Sequence, residues 1–349
     1  MGGDAFLAPS SAIVTPNIIR HLLLVADDHG VSLERALRSA SLTRATVDSA
    51  ALRVSYRQGR IIIEKALELI PVAALGLEVG RRQPITASGL LGLAMMSSAT
   101  LLDAVRIGLR FQNLAGSMVR WQSAVEVASV VVTATVPDVG SPVGRFLIEE
   151  GFANITRMAQ DVARITAPRQ IQLAFAPERD PRVYAEHFGC AVEFSTDRNA
   201  WHVPLQTANE PLPTAEPWTL RETVALLEAR MGTIAQRQEL VAVLAAHIED
   251  ALPEVRPFAE YGHLLAMSER TLRRRLVEVG SSYSQVVDDV RKRLATELFA
   301  EPAYNAAEIA YRLGYDDERS LRRSTLRWFG LSPKALRAAA HGTETSPAG

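Results

Sequence analysis

Residues 305–330 read NAAEIAYRLGYDDERSLRRSTLRWFG, and their spacing predicts two short helices around a tight turn. In the first, Ile309, Ala310 and Leu313 share one face, and Gly314 closes the helix. Tyr315, Asp316 and Asp317 lead to the second helix over 318–330, with Asp317 or Asp316 available as its cap. Leu321 then lies inward, while Arg319, Ser320 and Arg323 form the outward face of the first turns. Trp328 and Phe329 read as core, and Gly330 ends the helix. A last helix starts at Leu331-Ser332-Pro333-Lys334, with Ser332 as cap and Pro333 at the first helical position. Its leading backbone amides, helped by Lys334, suit a phosphate.

The same plan occurs upstream. Phe258 to Leu265 is helical, Ala266-Met267 turns, and SERTLRRRLVEVG fills 268–280, with Ser268 as cap and Gly280 as end. Leu272, Leu276 and Val279 form a buried stripe, so Arg270, Arg273 and Arg274 project from the opposite side at ~100° per residue. Arg275 stands on the flank of that stripe, where a phosphate contact or an internal pair is expected. An arginine run on a single helix is commonly a solvated face; its recurrence at the same place in two units favours a binding role. Between the units, 282–300 reads as one linking helix with Val286, Val290, Leu294 and Leu298 as its seam. At 1.5 Å per residue it spans roughly 28 Å, suited to successive major grooves ~34 Å apart. Arginine's planar fork pairs bidentately with guanine and grips phosphate. Double-stranded DNA is therefore the expected partner, through Arg270, Arg273 and Arg274 in one segment and Arg319, Ser320, Arg323 and Lys334 in the next.

Outward from this region the pattern changes. Residues 15–115 read as helices, with Thr15 as a cap before Pro16, and with capping-box spacing at Ser55/Gln58 and Thr100/Asp103. Residues 117–136 are rich in valine and threonine and favour two strands. A helix over 142–164 follows, then short strands near 171–175, 192–194 and 201–205. Three prolines in 209–218 mark a domain exit. The expected fold class is α+β: a mixed helical/β regulatory domain over 1–218, a linker helix over 219–232, an all-α domain with the two helix-turn-helix units over 233–341, and a disordered tail over 342–349.

Composition narrows the function classes. The 349 residues are 48% hydrophobic and 22% charged with a net charge of −1, so any basic surface is local rather than global. The single cysteine, Cys190, excludes an internal disulfide framework and a multi-cysteine zinc site. His187 and Cys190 stand three apart without a third ligand evident, so no metal and no cofactor is expected. No apolar run approaches the ~18–20 residues of a membrane span, the N-terminus does not read as a signal peptide, and Phe6 argues against myristoylation. A cytoplasmic protein is the expectation. No G-x-S-x-G elbow, P-loop or Rossmann glycine pattern occurs, so no enzyme is nominated.

Residues 233–341 resemble the DNA-binding domain of the AraC-type transcription regulators. Glu308–Tyr315 (EIAYRLGY) and Arg327–Pro333 (RWFGLSP) match that family's second-unit signature. Ser268–Leu276 (SERTLRRRL) is similar to the first recognition helix of a subgroup with a large N-terminal arabinose-binding-like regulatory domain. Residues 90–120 and 145–216 resemble that regulatory domain, including Phe188-Gly189-Cys190 and Pro211–Glu216. The chain departs from the family at Leu321 and Thr325, where aromatic residues are usual, and at Arg319, where a small polar residue is. The resemblance implies a small-molecule effector, transcription activation through RNA polymerase, and a homodimer. Two rivals are a DNA-binding protein without an effector, and a small-molecule-binding protein or enzyme whose helical tail does not bind DNA.

Overall fold

The computed structural model describes residues 12–49, 52–115, 117–163, 167–177, 180–278 and 281–340. The expected tail, 342–349, Val279 of the expected buried stripe and the helix end expected at Gly280 lie outside the described residues. The fold is α+β, and the chain divides into two compact units, Met1–Gly232 and Thr233–Gly349.

In the first unit, β1 (Ala12–Val14) and β2 (Val54–Ser55) form a small antiparallel pair, and β2 interrupts the 15–115 stretch expected to be helical. Three short helices, Asn17–Asp28, Glu34–Ser39 and Arg44–Val47, lie between them in sequence, and Tyr56–Leu69 follows β2. Ser55 and Gln58 form the reciprocal capping box their spacing implies. Thr15 does not cap: Pro16 holds that place without a side-chain bond, and the Thr15 hydroxyl donates instead to the Ala115 carbonyl. A distant carbonyl outcompeted the local amide, which sequence spacing cannot register.

The larger sheet contains β3 (Arg120–Glu126), β4 (Ser129–Thr135), β5 (Gln170–Leu173), β6 (Ala191–Phe194) and β7 (Asn199–Pro204), ordered β3-β4-β7-β5-β6. All neighbours are antiparallel except β5 and β6, which the helix Arg182–Phe188 joins as a crossover. Val130, Val131 and Val132 are buried in succession, so β4 is covered on both faces and its valine run needs no alternation.

A central helix, Pro142–Ala163, buries Phe146, Leu147, Ile148 and Phe152 in the main core. The helix Leu75–Arg81 packs close to it through Gly76 and Gly80. A Cβ at Gly80 would come within 2.2 Å of the Glu150 carbonyl oxygen, so only glycine permits this approach. A cavity of about 180 Å³ opens among residues of the central helix, the helix Leu101–Arg110 and the sheet.

The helix expected over 219–232 is longer, running from Pro217 to Ala251. After Pro217 it holds no proline and only one glycine, Gly232, among Ala, Leu, Glu and Arg, so nothing ends it before Pro253. In the second unit, Leu240, Leu244, Ile248, Tyr261, Leu272, Leu276, Val286 and Val290 form one small core. Ala295, Phe299, Ile309, Ala310, Leu313 and Leu321 form another, and Leu294 packs against both.

Candidate nucleic-acid interface

Each small core supports one arginine-faced helix. In the first unit of the pair, the support helix Phe258–Leu264 ends in a turn closed by Met267 N–H donating to the Gly262 carbonyl at 2.8 Å. The first arginine helix, Glu269–Glu278, is capped by the Ser268 hydroxyl, which accepts the Thr271 N–H at 3.1 Å. Leu272 and Leu276 are buried beneath it, leaving Arg270, Arg273, Arg274 and Arg275 exposed. Arg273 donates to Glu269 at 2.6 Å and lies 5.1 Å over the Phe258 ring, which braces it against the support helix. Arg275 reaches back to the Met267 sulfur at 3.7 Å, an internal contact on the flank of the stripe. The Arg270 side chain has no hydrogen bond or ion pair among the described residues.

The linking helix Tyr283–Ala300 is capped by Ser282. Its buried positions are Val286, Val290, Ala295 and Phe299; Leu294 and Leu298, expected in the seam, are half-buried. The step from Val290 to Ala295 turns the buried face by ~140° at ~100° per residue. One helix is serving two cores in different directions, and a straight seam suits only one.

The second support helix, Ala306–Arg312, has a full capping box between Asn305 and Glu308. Gly314 follows at φ 70, where a Cβ would meet the Pro253 carbonyl oxygen at 2.4 Å; the turn requires glycine on both counts. The alternative left open by sequence is resolved: Asp317 caps the second arginine helix, Glu318–Phe329, by accepting the Ser320 N–H at 2.7 Å. Those bonds hold its carboxyl below the usual aspartate range. Leu321, Ser324 and Thr325 are buried. The missing aromatic at Thr325 is accommodated locally: its hydroxyl donates to the Arg322 carbonyl at 3.1 Å, and Tyr315 reaches the buried Ser324 at 2.8 Å.

Arg319 and Arg323 are exposed as expected. Ser320 is half-buried and its hydroxyl accepts from Arg323 at 3.0 Å, so the pair acts as one polar group. Arg322 was not singled out by sequence, yet it is exposed beside Arg319 and Arg323 with an unengaged guanidinium among the described residues. The i, i+3, i+4 spacing of the three was the available signal. Lys334, second residue of the helix Pro333–Ala340, is also exposed and unengaged.

Other cations are committed internally. Arg291 donates to the Gly314 carbonyl at 2.8 Å and lies 4.6 Å over Tyr315; Arg312 lies 4.2 Å over Tyr304; Lys292 lies 5.4 Å over Phe329. Sixteen basic and sixteen acidic residues balance over 233–349, so placement rather than net charge distinguishes the outward arginines.

The family described as the N-terminal arabinose-binding domain of AraC transcription regulators matches residues 30–212, and a helix-turn-helix domain family matches 261–339. The chain is 29% identical to the ornithine utilization regulator of Pseudomonas aeruginosa, over 91% of this chain and 94% of that protein. It is 29% identical to the HTH-type transcriptional regulator VirS of Mycobacterium tuberculosis, over 75% of this chain and 78% of that protein. The crystal structure of the transcriptional regulator CdpR from Pseudomonas aeruginosa covers 92% of this chain and 98% of that one, at a TM-score of 0.47 and 22% identity. With its regulatory-domain match spanning more than half the sequence and a helix-turn-helix domain behind it, the chain belongs to the AraC family of transcription regulators.

Proposed function

We propose that this DNA-binding transcription regulator reads two adjacent major-groove segments, with Arg270, Arg273 and Arg274 serving one and Arg319, Ser320 and Arg323 the other. The observation that carries this reading is the recurrence of exposed arginines on the outer faces of two capped helices, one per core. Arg322 joins the second set. Lys334 takes a phosphate and positions the domain without reading sequence. The linking helix, 18 residues long, spans roughly 27 Å, which suits helices entering successive grooves.

The N-terminal unit senses a small-molecule effector in this reading, supported by the family match and by the cavity within that unit. Activation through RNA polymerase and a homodimeric state rest on the family resemblance, and action on chromosomal DNA implies the cytoplasm.

The test is binding of the full-length protein to DNA upstream of its own and neighbouring genes, titrated at several salt concentrations with competitor DNA. Selective binding whose logarithm falls linearly with log salt, by ~0.9 per phosphate contacted, is expected. Binding that is absent at every salt concentration, with or without candidate effectors, would overturn the reading and favour a ligand-binding protein with an inert helical tail.

A further inference from the structure

Resting on the effector reading above, we propose that the cavity in the N-terminal unit takes a small organic cation: an amine on a short aryl or hydrocarbon body, paired with the Glu150 carboxylate.

The cavity has one ionisable side chain among its described lining residues, Glu150, and no lysine, arginine or histidine. Glu150 is only 5% exposed, and its carboxyl has a single hydrogen-bond partner among the described residues, the Gln83 amide. Its neighbour Glu149 makes the contrast. Glu149 is equally buried but accepts from the Tyr184 hydroxyl and the Gly76 amide, with the charge of Arg145 nearby. Glu149 is thus spoken for by the fold, while Glu150 faces a cavity with a carboxylate's remaining acceptor capacity unmatched. A buried anion with no cation beside it is costly, and a ligand ammonium supplies the missing charge.

The aromatic walls point the same way. Trp121 and Trp201 both line the cavity. Their indole N–H groups are already used, on the Ser117 hydroxyl at 2.9 Å and the Thr156 hydroxyl at 3.0 Å. What they offer a ligand is ring surface rather than a donor. The Trp121 ring lies directly on Gly151, where an added Cβ would come within 2.6 Å of it, so an indole sits one residue from Glu150. Tryptophan faces attract organic cations, most strongly where water is excluded.

Other ligand chemistries fit less well. A carboxylate or phosphate would find no counter-charge in the wall. A sugar would bring several hydroxyls to walls built largely of Ile, Leu, Val, Met and Ala, and unpaired hydroxyls cost binding. The cavity, about 180 Å³, is close to the ~150 Å³ engineered cavity that admits benzene, which bounds the ligand to one ring with a short chain. Burial pushes Glu150 up to about 7, and a bound ammonium would draw it back down.

The experiment is isothermal titration calorimetry on the full-length protein with phenethylamine, and with phenylalanine, 3-phenylpropionate and L-arabinose as comparators. Saturable binding of phenethylamine, at least tenfold tighter than each comparator, is expected. Glu150→Gln, isosteric and still able to bond Gln83, should weaken it tenfold or more. Val105→Phe, which fills the cavity from the helix Leu101–Arg110 and leaves Glu150 intact, should abolish it, and carries the test alone if the first variant fails to fold. Tighter binding of 3-phenylpropionate or arabinose, no saturable amine binding, or amine binding unchanged by both substitutions would each overturn the proposal. DNA binding measured in parallel separates the two readings. Operator binding without amine binding removes this inference only. Amine binding that leaves DNA affinity unaltered upholds the ligand class and removes the effector role.

Discussion

Arg327 Nη2 lies 2.9 and 2.8 Å from the two carboxylate oxygens of Asp288, tying the last turn of the second arginine helix to the linking helix. Both side chains keep substantial exposure, 56% and 38%, so the pair is a modest brace. Asp288→Ala should cost less than about 1 kcal/mol in urea denaturation. Arg291→Ala should cost more, on the order of 1–3 kcal/mol, because it leaves the Gly314 carbonyl without its partner and removes the cation over Tyr315. The reverse order would mean the linking helix is held chiefly by its surface pairs.

The outward arginines and the internal ones should separate in paired measurements. Arg270→Ala is expected to lose roughly 1–3 kcal/mol of specific DNA binding and relax preference at one base pair, with the melting temperature unchanged. Arg312→Ala, whose guanidinium covers Tyr304, should lower the melting temperature instead. Fluorescence anisotropy on operator and scrambled DNA, beside thermal melts, checks both.

Lys334→Ala should weaken binding to all sequences alike and reduce the magnitude of the salt slope by about 0.9. A change in base preference would place Lys334 at a base edge rather than at a phosphate.

Gly314→Ala should destabilise the C-terminal domain by more than about 1 kcal/mol, since the position needs both φ 70 and the space beside the Pro253 carbonyl. Gly30→Ala shares the positive φ, 67, but meets nothing within 4 Å, so its cost should be smaller. Chemical denaturation of the two variants isolates the steric part.

Two buried glutamates make stability fall with pH. Burial raises Glu149 and Glu150 to about 7, against an ordinary 4.5, while Tyr184, the Gly76 amide and Arg145 pull Glu149 partly back and Gln83 does so for Glu150. Between those values the folded chain binds more protons than the unfolded one, so their contribution is fully present below about 4.5 and is lost as pH rises through about 7. His21, His187 and His202 are held below their ordinary value chiefly by burial and act in the opposite sense. The difference between wild type and Glu150→Gln removes the histidines. The variant should gain relative stability from pH 5 to pH 8, by up to a few kcal/mol at ~1.4 kcal/mol per pK unit.

The second helix-turn-helix unit was legible because its punctuation is local. The positive φ of Gly314, the caps of Asp317 and Ser332, and Pro333 at the first helical position each act within a turn of where they stand. The linking-helix seam is met only in part, with Leu294 and Leu298 half-buried beside the fully buried Ala295 and Phe299, because a single period assumes a single core. Thr15 was misread because its partner, Ala115, lies a hundred residues away. The cavity was invisible for the same reason, since its lining runs from Thr15 to Trp201. Glu149 and Glu150 look equivalent in sequence; only the partners the fold brings to them, Tyr184 and Gly76 for one and Gln83 for the other, distinguish them.

Because each arginine helix rests on its own small core, the outer face of one can be rewritten without repacking the other. In the proposed two-segment reading, target preference can therefore drift one segment at a time, each intermediate keeping a grip on the unchanged half. The two-core design makes this regulator's vocabulary divisible, so that a new operator is reached by successive small edits rather than one leap.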